Sequence, residues 1–162
     1  MEQTRYIKAV DTYGNTIYRI ARNYCRCVAD AEDIVQDVFL KLFQTKQEFR
    51  NEEHIKHWLI RVTVNESKNL CHSFWKKHMV PLENSETIQP FDFPSPESSD
   101  LYDAVMELPH KYRIVMYLYY YEDYSVREIS KILQLRETTV QTQLMRGRKQ
   151  LKQKLKEDWQ DE

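Results

Sequence analysis

Apolar residues recur every three or four positions over most of the chain, which predicts helices rather than strands. Over residues 2–25, Tyr6, Val10, Tyr13, Ile17, Ile20 and Tyr24 fall on one face, so a first helix packs through that face, with Gly14 weakening it locally. Over 30–46, Ile34, Val35, Val38, Phe39, Leu42 and Phe43 gather on one side, and Asp30 is placed to cap the start. The opposite side holds Asp33, Gln36, Asp37, Lys41 and Gln44, with Leu40 in their midst. An apolar residue ringed by carboxylates and amides has the composition of a binding hot spot, although single exposed leucines are also ordinary.

A loop at 49–53 leads to a long helix expected from about His54 to Lys77. Its core stripe is Ile55, Trp58, Leu59, Val62 and Leu70. The other side aligns His57, Arg61, Asn65, Lys68, His72 and Trp75. Cations meet phosphates and flat rings meet unstacked bases, so this mixture suits single-stranded nucleic acid; a plain solvated face is the competing reading. Residues 101–121 predict one or two supporting helices, with Leu101, Val105 and Leu108 spaced for a core and Pro109 at the first position of a helix. The tyrosines at 117 and 119–121 are expected to pack, partly exposed.

The stretch from Ser125 to Lys156 reads as two helices joined by a tight turn. Ser125 and Glu128 make a capping box, and Ile129, Ile132 and Leu133 follow at helical spacing, with Leu135 closing the turn. The second helix carries Val140, Leu144, Leu151 and Leu155 on one face. Between Arg136 and Lys156 stand seven basic residues and one acid, in a chain of net charge −1. Such a local excess suits a phosphate backbone, because released counterions drive the binding. Short polar side chains at the start of the second helix are of the kind that reach base edges in the major groove.

Charge also divides the chain. Residues 1–78 sum to +3, residues 79–100 to −5 and residues 101–162 to +1. The middle stretch contains Pro81, Pro90, Pro94 and Pro96, five acids and no Lys or Arg, which marks a linker. Two small domains, 1–78 and 101–162, follow, and two glycines in 162 residues favour an all-α fold. No apolar run approaches membrane-spanning length and the N-terminus has no signal-peptide pattern, so a cytoplasmic protein is expected. Cys25, Cys27 and Cys71 are an odd number with no second pair, and read as ordinary thiols, some of them buried. His54, His57, His72 and His78 match no zinc pattern. No phosphate-binding glycine loop and no nucleophile with a base partner is present, so neither an enzyme nor a cofactor is expected.

The run YSVREISKILQLRETTVQTQLMRGRKQLK resembles region 4 of bacterial RNA polymerase sigma factors, and the short chain places the resemblance in the extracytoplasmic-function group. DAEDIVQDVFLKLF resembles their region 2.2, and FRNEEHIKHWLIRVTVNESKNL their regions 2.3 and 2.4, with Asn65 and Asn69 matching an Asn-x-x-x-Asn pattern. The resemblance implies a transcription initiation factor with four expectations. Asp33, Gln36, Asp37 and Leu40 dock on the clamp helices of the polymerase β′ subunit. Phe49, Arg50, Asn51, Arg61, Asn65, Lys68, Asn69, His72 and Trp75 contact and open the −10 element. Arg136, Glu137, Thr138, Thr139, Gln141, Thr142, Gln143, Arg146, Arg148 and Lys149 read the −35 element. The acidic linker threads toward the RNA exit channel. Core polymerase (including its β subunit), promoter DNA and an anti-sigma factor are the implied partners. The chain departs from the family at Gln134, usually Gly; at Arg136, usually a small capping residue; and at Gln141 and Gln143, often Lys or Arg. The competing reading is a stand-alone helix-turn-helix regulator, which would need neither the Asp33–Leu40 face nor the acidic linker.

Overall fold

The structure, a computed structural model, describes residues 1–25, 27–77 and 100–160, with side chains described over 1–25, 27–71 and 101–157. The linker expected at 79–100 therefore lies, apart from Asp100, outside the described residues, as do the side chains of His72 and Trp75. The described residues form helices and no strand, in two compact units, Met1–Phe93 and Pro94–Glu162.

The first unit holds α1 (Gln3–Tyr24), α2 (Val28–Gln44) and α3 (Glu52–Lys77), each packed against the other two. Ala9, Tyr13, Ile17, Ile20 and Ala21 form the buried stripe of α1, and the small alanines let its neighbours approach. From α2 come Ile34, Val38, Phe39 and Leu42. Phe43, expected in the same stripe, is instead 57% exposed, edge-on to the Tyr6 ring with centroids 5.4 Å apart. Asp30 does not cap α2. The helix begins two residues earlier, after Cys27 in extended conformation, and Asp30 sits in its first turn, where a carboxylate complements the helix dipole.

The long helix also starts before His54, because the Asn51 side-chain oxygen accepts from the His54 backbone N–H at 2.8 Å and so supplies the cap. Its buried stripe is Ile55, Leu59, Ile60, Thr63, Val64 and Ser67, whereas Trp58, Val62 and Leu70 are only half-buried. Thr63 is accommodated because its Oγ1 donates to the Leu59 carbonyl at 2.6 Å, whereas the small Ser67 hydroxyl is buried without a hydrogen-bond partner.

The second unit contains α4 (Asp100–Met106), α5 (His110–Tyr120), α6 (Val126–Leu133) and α7 (Glu137–Gln160), with α7 packed on the other three. Val105 and Leu108 are buried as expected, but Leu101 is 47% exposed, being at the start of a two-turn helix. Pro109 is the cap of α5 rather than its first residue, with ψ 142 still extended. The helix-turn-helix forms as the pattern predicts. Ser125 Oγ accepts from Glu128 N–H at 3.1 Å, and a Glu128 carboxylate oxygen accepts from Ser125 N–H at 2.8 Å. Gln134 takes the left-handed conformation, and Leu135 N–H reaches back to the Ser130 carbonyl at 2.9 Å, closing the helix in a Schellman-type turn. Gly147 allows α7 to cross α5 closely: a Cβ there would stand 3.1 Å from Met116 Cγ and 3.4 Å from Tyr112 Cβ.

Candidate functional site

Three surfaces carry the residues that the sequence singles out. The first is the outer face of α2. Asp33, Gln36, Asp37 and Leu40 are all exposed there, Leu40 by 51%. Burying Val38, Phe39 and Leu42 against α1 and α3 turns this side outward, since residues three and four apart share a face. Lys41, beside Leu40, is ion-paired with Glu66 of α3, so the acids of this face keep the dominant charge. Phe43 lies one turn beyond Leu40 and extends the apolar ridge. The sequence pattern missed it because position 43 borders the core stripe, and only the packing of α1 decides on which side it falls.

The second surface is the outer side of α3 with the loop before it. Arg61, Asn65, Lys68 and Asn69 are all exposed, spread over two turns. Arg50 is exposed, with its backbone N–H donated to His54 Nδ1 at 3.3 Å. Phe49 is turned inward at 7% exposure, packed edge-on to Trp58 and His54 at 5.7 and 5.3 Å between ring centroids. Asn51 uses its side-chain oxygen to cap α3. These two residues therefore shape the loop rather than offer free groups. The loop is fixed further by α1. Arg5 donates to the Phe49 carbonyl at 3.2 Å and pairs with Glu52, and the Tyr13 hydroxyl donates to the Glu52 carbonyl. Partial burial, aided by Glu52 and Glu53, raises the Tyr13 phenol above its ordinary range, so it remains a donor at any physiological pH.

The third surface is the first half of α7. Arg136, Glu137, Thr138, Gln141, Arg146, Arg148 and Lys149 are exposed; Thr139, Thr142 and Gln143 are half-buried. Thr138, Thr139, Thr142, Gln143 and Arg146 line one open cavity of about 260 Å³ together with Lys111 and Tyr112 of α5. The Thr142 hydroxyl is used within the helix, donating to the Thr138 carbonyl at 2.9 Å. Arg148 stands apart from this group. Its Nε donates to the Tyr120 hydroxyl at 2.6 Å, and the guanidinium lies 5.5 and 5.6 Å from the Tyr119 and Tyr120 ring centres. Lys111 is the residue that sequence reading missed. It lies in a helix expected only to support, and nothing in the local pattern shows that its side chain borders the start of α7.

Among the described residues no group of His, Cys, Asp and Glu could hold a metal ion, and no helix is long and apolar enough to cross a membrane. The two units, in this order, match known proteins. Residues 9–77 match the family model of sigma-70 region 2, and residues 98–151 match that of sigma-70 region 4. The chain belongs to the sigma-70 family. Within it, the chain is 29% identical over 153 residues to the RNA polymerase sigma factor SigV of Bacillus subtilis, covering 94% of this chain and 92% of that one. It is 26% identical to the extracytoplasmic-function sigma factor SigW of the same organism, covering 96% and 91%. The fold resembles that of the sigma factor RpoE from Bartonella quintana, solved with the anti-sigma factor NepR, at a TM-score of 0.71 and 20% identity over 94% of this chain and 97% of that one. This sigma factor is thus of the extracytoplasmic-function group, a transcription initiation factor for promoter recognition and not an enzyme.

Proposed function

We propose that this sigma factor docks on core RNA polymerase through the α2 ridge, opens the −10 element with α3 and its leading loop, and binds the −35 element with the first half of α7. The observation that carries this reading is Leu40, half exposed between Asp33, Gln36 and Asp37 in a unit separate from the helix-turn-helix. A DNA-binding module has no need of such a face, whereas an apolar anchor inside a polar ring is how protein interfaces concentrate their energy. The partners are the clamp helices of β′ at α2, the β subunit at the second unit, and promoter DNA. A protein inhibitor that covers the α2 ridge would compete with polymerase, and the anti-sigma factor of the Bartonella neighbour makes that partner class a natural one. The complex works where polymerase works, in the cytoplasm.

On DNA, Arg61 and Lys68 supply charge for the separated strand, and Asn65 and Asn69 supply amide groups for unpaired base edges. Glu137, Thr138, Gln141 and Arg146 are the side chains placed to meet the −35 duplex, with Lys149 on phosphate. The acids of 79–100 suit a channel built for nucleic acid, where they mimic its charge.

Holoenzyme reconstituted from core polymerase and this chain tests the reading on promoters selected from genomic fragments. Permanganate reactivity of −10 thymines should appear only with polymerase present. Arg146→Ala should lower promoter occupancy about tenfold, the scale of one lost base or phosphate contact, and leave polymerase binding intact. Equal affinity of the isolated chain for the same duplex, with no melting, would assign a stand-alone regulator instead.

A further inference from the structure

The end of α1 and the last turns of α3 bring two thiols together, and no interface above uses either. Cys25 is the residue that ends α1, 5% exposed. Cys71 is half-buried on α3, with its Sγ 3.3 Å from the Tyr24 carbonyl oxygen. Tyr24 immediately precedes Cys25, so Cys71 stands against the backbone that carries Cys25, and each thiol shifts the other's titration. Cys27, only two residues further on, belongs to the start of α2.

We propose that Cys25 and Cys71 are a reversible dithiol–disulfide pair, closed by a peroxide, that staples the end of α1 to α3. The pairing depends on the thiol geometry and on no DNA role of α3. In the first step the Cys71 thiolate attacks one peroxide oxygen. The S–O bond forms, the O–O bond breaks, and the leaving hydroxide takes up a proton to become water. Sulfur is oxidised by two electrons to a sulfenic acid, and the peroxide is reduced. The Cys25 sulfur then attacks the Cys71 sulfur. The S–S bond forms, the S–O bond breaks, and the hydroxyl leaves with the Cys25 proton as a second water. Two thiols and one peroxide thus give one disulfide and two waters.

The surroundings divide the roles. The Cys25 side chain lowers the Cys71 thiol to about 7, against burial and the Asp30 carboxylate of α2, which raise it. The Tyr24 carbonyl, which accepts from Cys71 Sγ, also favours the neutral thiol. Cys25 is pushed well up by Cys71, by burial and by Asp30, with Arg22 opposing. The half-exposed, more acidic Cys71 therefore meets the oxidant, and the buried Cys25 resolves it. Closing the chain from 25 to 71 restricts the unfolded state and fixes the helix that presents Asn65, Lys68 and Asn69.

Disulfide mapping of the full chain tests this directly, because trypsin cuts after Arg26 and so separates Cys25 from Cys27. One equivalent of hydrogen peroxide on the reduced protein should lower the monomer mass by about 2 Da, join the Cys25 and Cys71 peptides, and leave Cys27 open to iodoacetamide. Dithiothreitol should reverse the change. The oxidised form should melt about 10 °C higher. The rate should fall as pH drops below about 7. In Cys25→Ser a dimedone probe should capture Cys71 as the sulfenic acid; where that variant does not fold, the wild-type map decides alone. A link that includes Cys27, a disulfide between two chains, or peroxide treatment that leaves Cys25 and Cys71 unlinked would overturn the assignment.

Discussion

At position 134 the backbone turns left-handed, φ 55 and ψ 45, and the side chain that must tolerate it is a glutamine. A β-carbon in that conformation costs on the order of 1 kcal/mol. Gln134→Gly should therefore raise the stability of the helix-turn-helix by about 1 kcal/mol, read as a higher urea midpoint with an unchanged slope. A lower midpoint would mean that the glutamine side chain contributes contacts exceeding the strain. The local code here was fully readable: Ser125 and Glu128 satisfy each other's backbone N–H groups, and the turn residue follows from helix length. Arg148 was not readable in the same way. Its charge places it among DNA-binding candidates, yet the structure holds it on Tyr119 and Tyr120, contacts that only the crossing of α5 and α7 creates.

Elements show the same division. The existence of each long helix follows from periodicity alone, because a 3.6-residue repeat leaves one continuous apolar stripe. Their edges depend on groups outside the stripe. Asn51 moves the start of α3 forward, and extended Cys27 moves the start of α2. Phe43 and Leu101 read as core yet lie exposed, since a residue at the stripe's margin is buried only if a neighbouring helix reaches it. Gly147 is the converse, a position whose importance is tertiary. Gly147→Leu would drive a side chain into Met116 and Tyr112 and should destabilise the second unit by roughly 2–3 kcal/mol, seen as a lower melting temperature. An unchanged melting temperature would show that α5 and α7 separate easily. In that case α7 is not rigidly held by this contact.

For the whole molecule, two small units with separate surfaces make each contact modest alone. Tethering turns the second contact into an intramolecular one, so affinity for a promoter is expected from the polymerase-bound chain rather than from the free chain. The α2 ridge carries the most weight in the proposed function, because the proposed DNA contacts of α3 and α7 both depend on docking there. Asp37 is exposed on that ridge, clear of the buried stripe, so its reversal should leave the fold intact. The most direct measurement is co-elution of the purified chain with bacterial core RNA polymerase on a sizing column, with Asp37→Arg run alongside and its helicity checked by circular dichroism. The wild type should travel with polymerase, and the folded variant should elute alone. Co-elution of both, or failure of a folded, inhibitor-free wild type to bind, would contradict docking through α2.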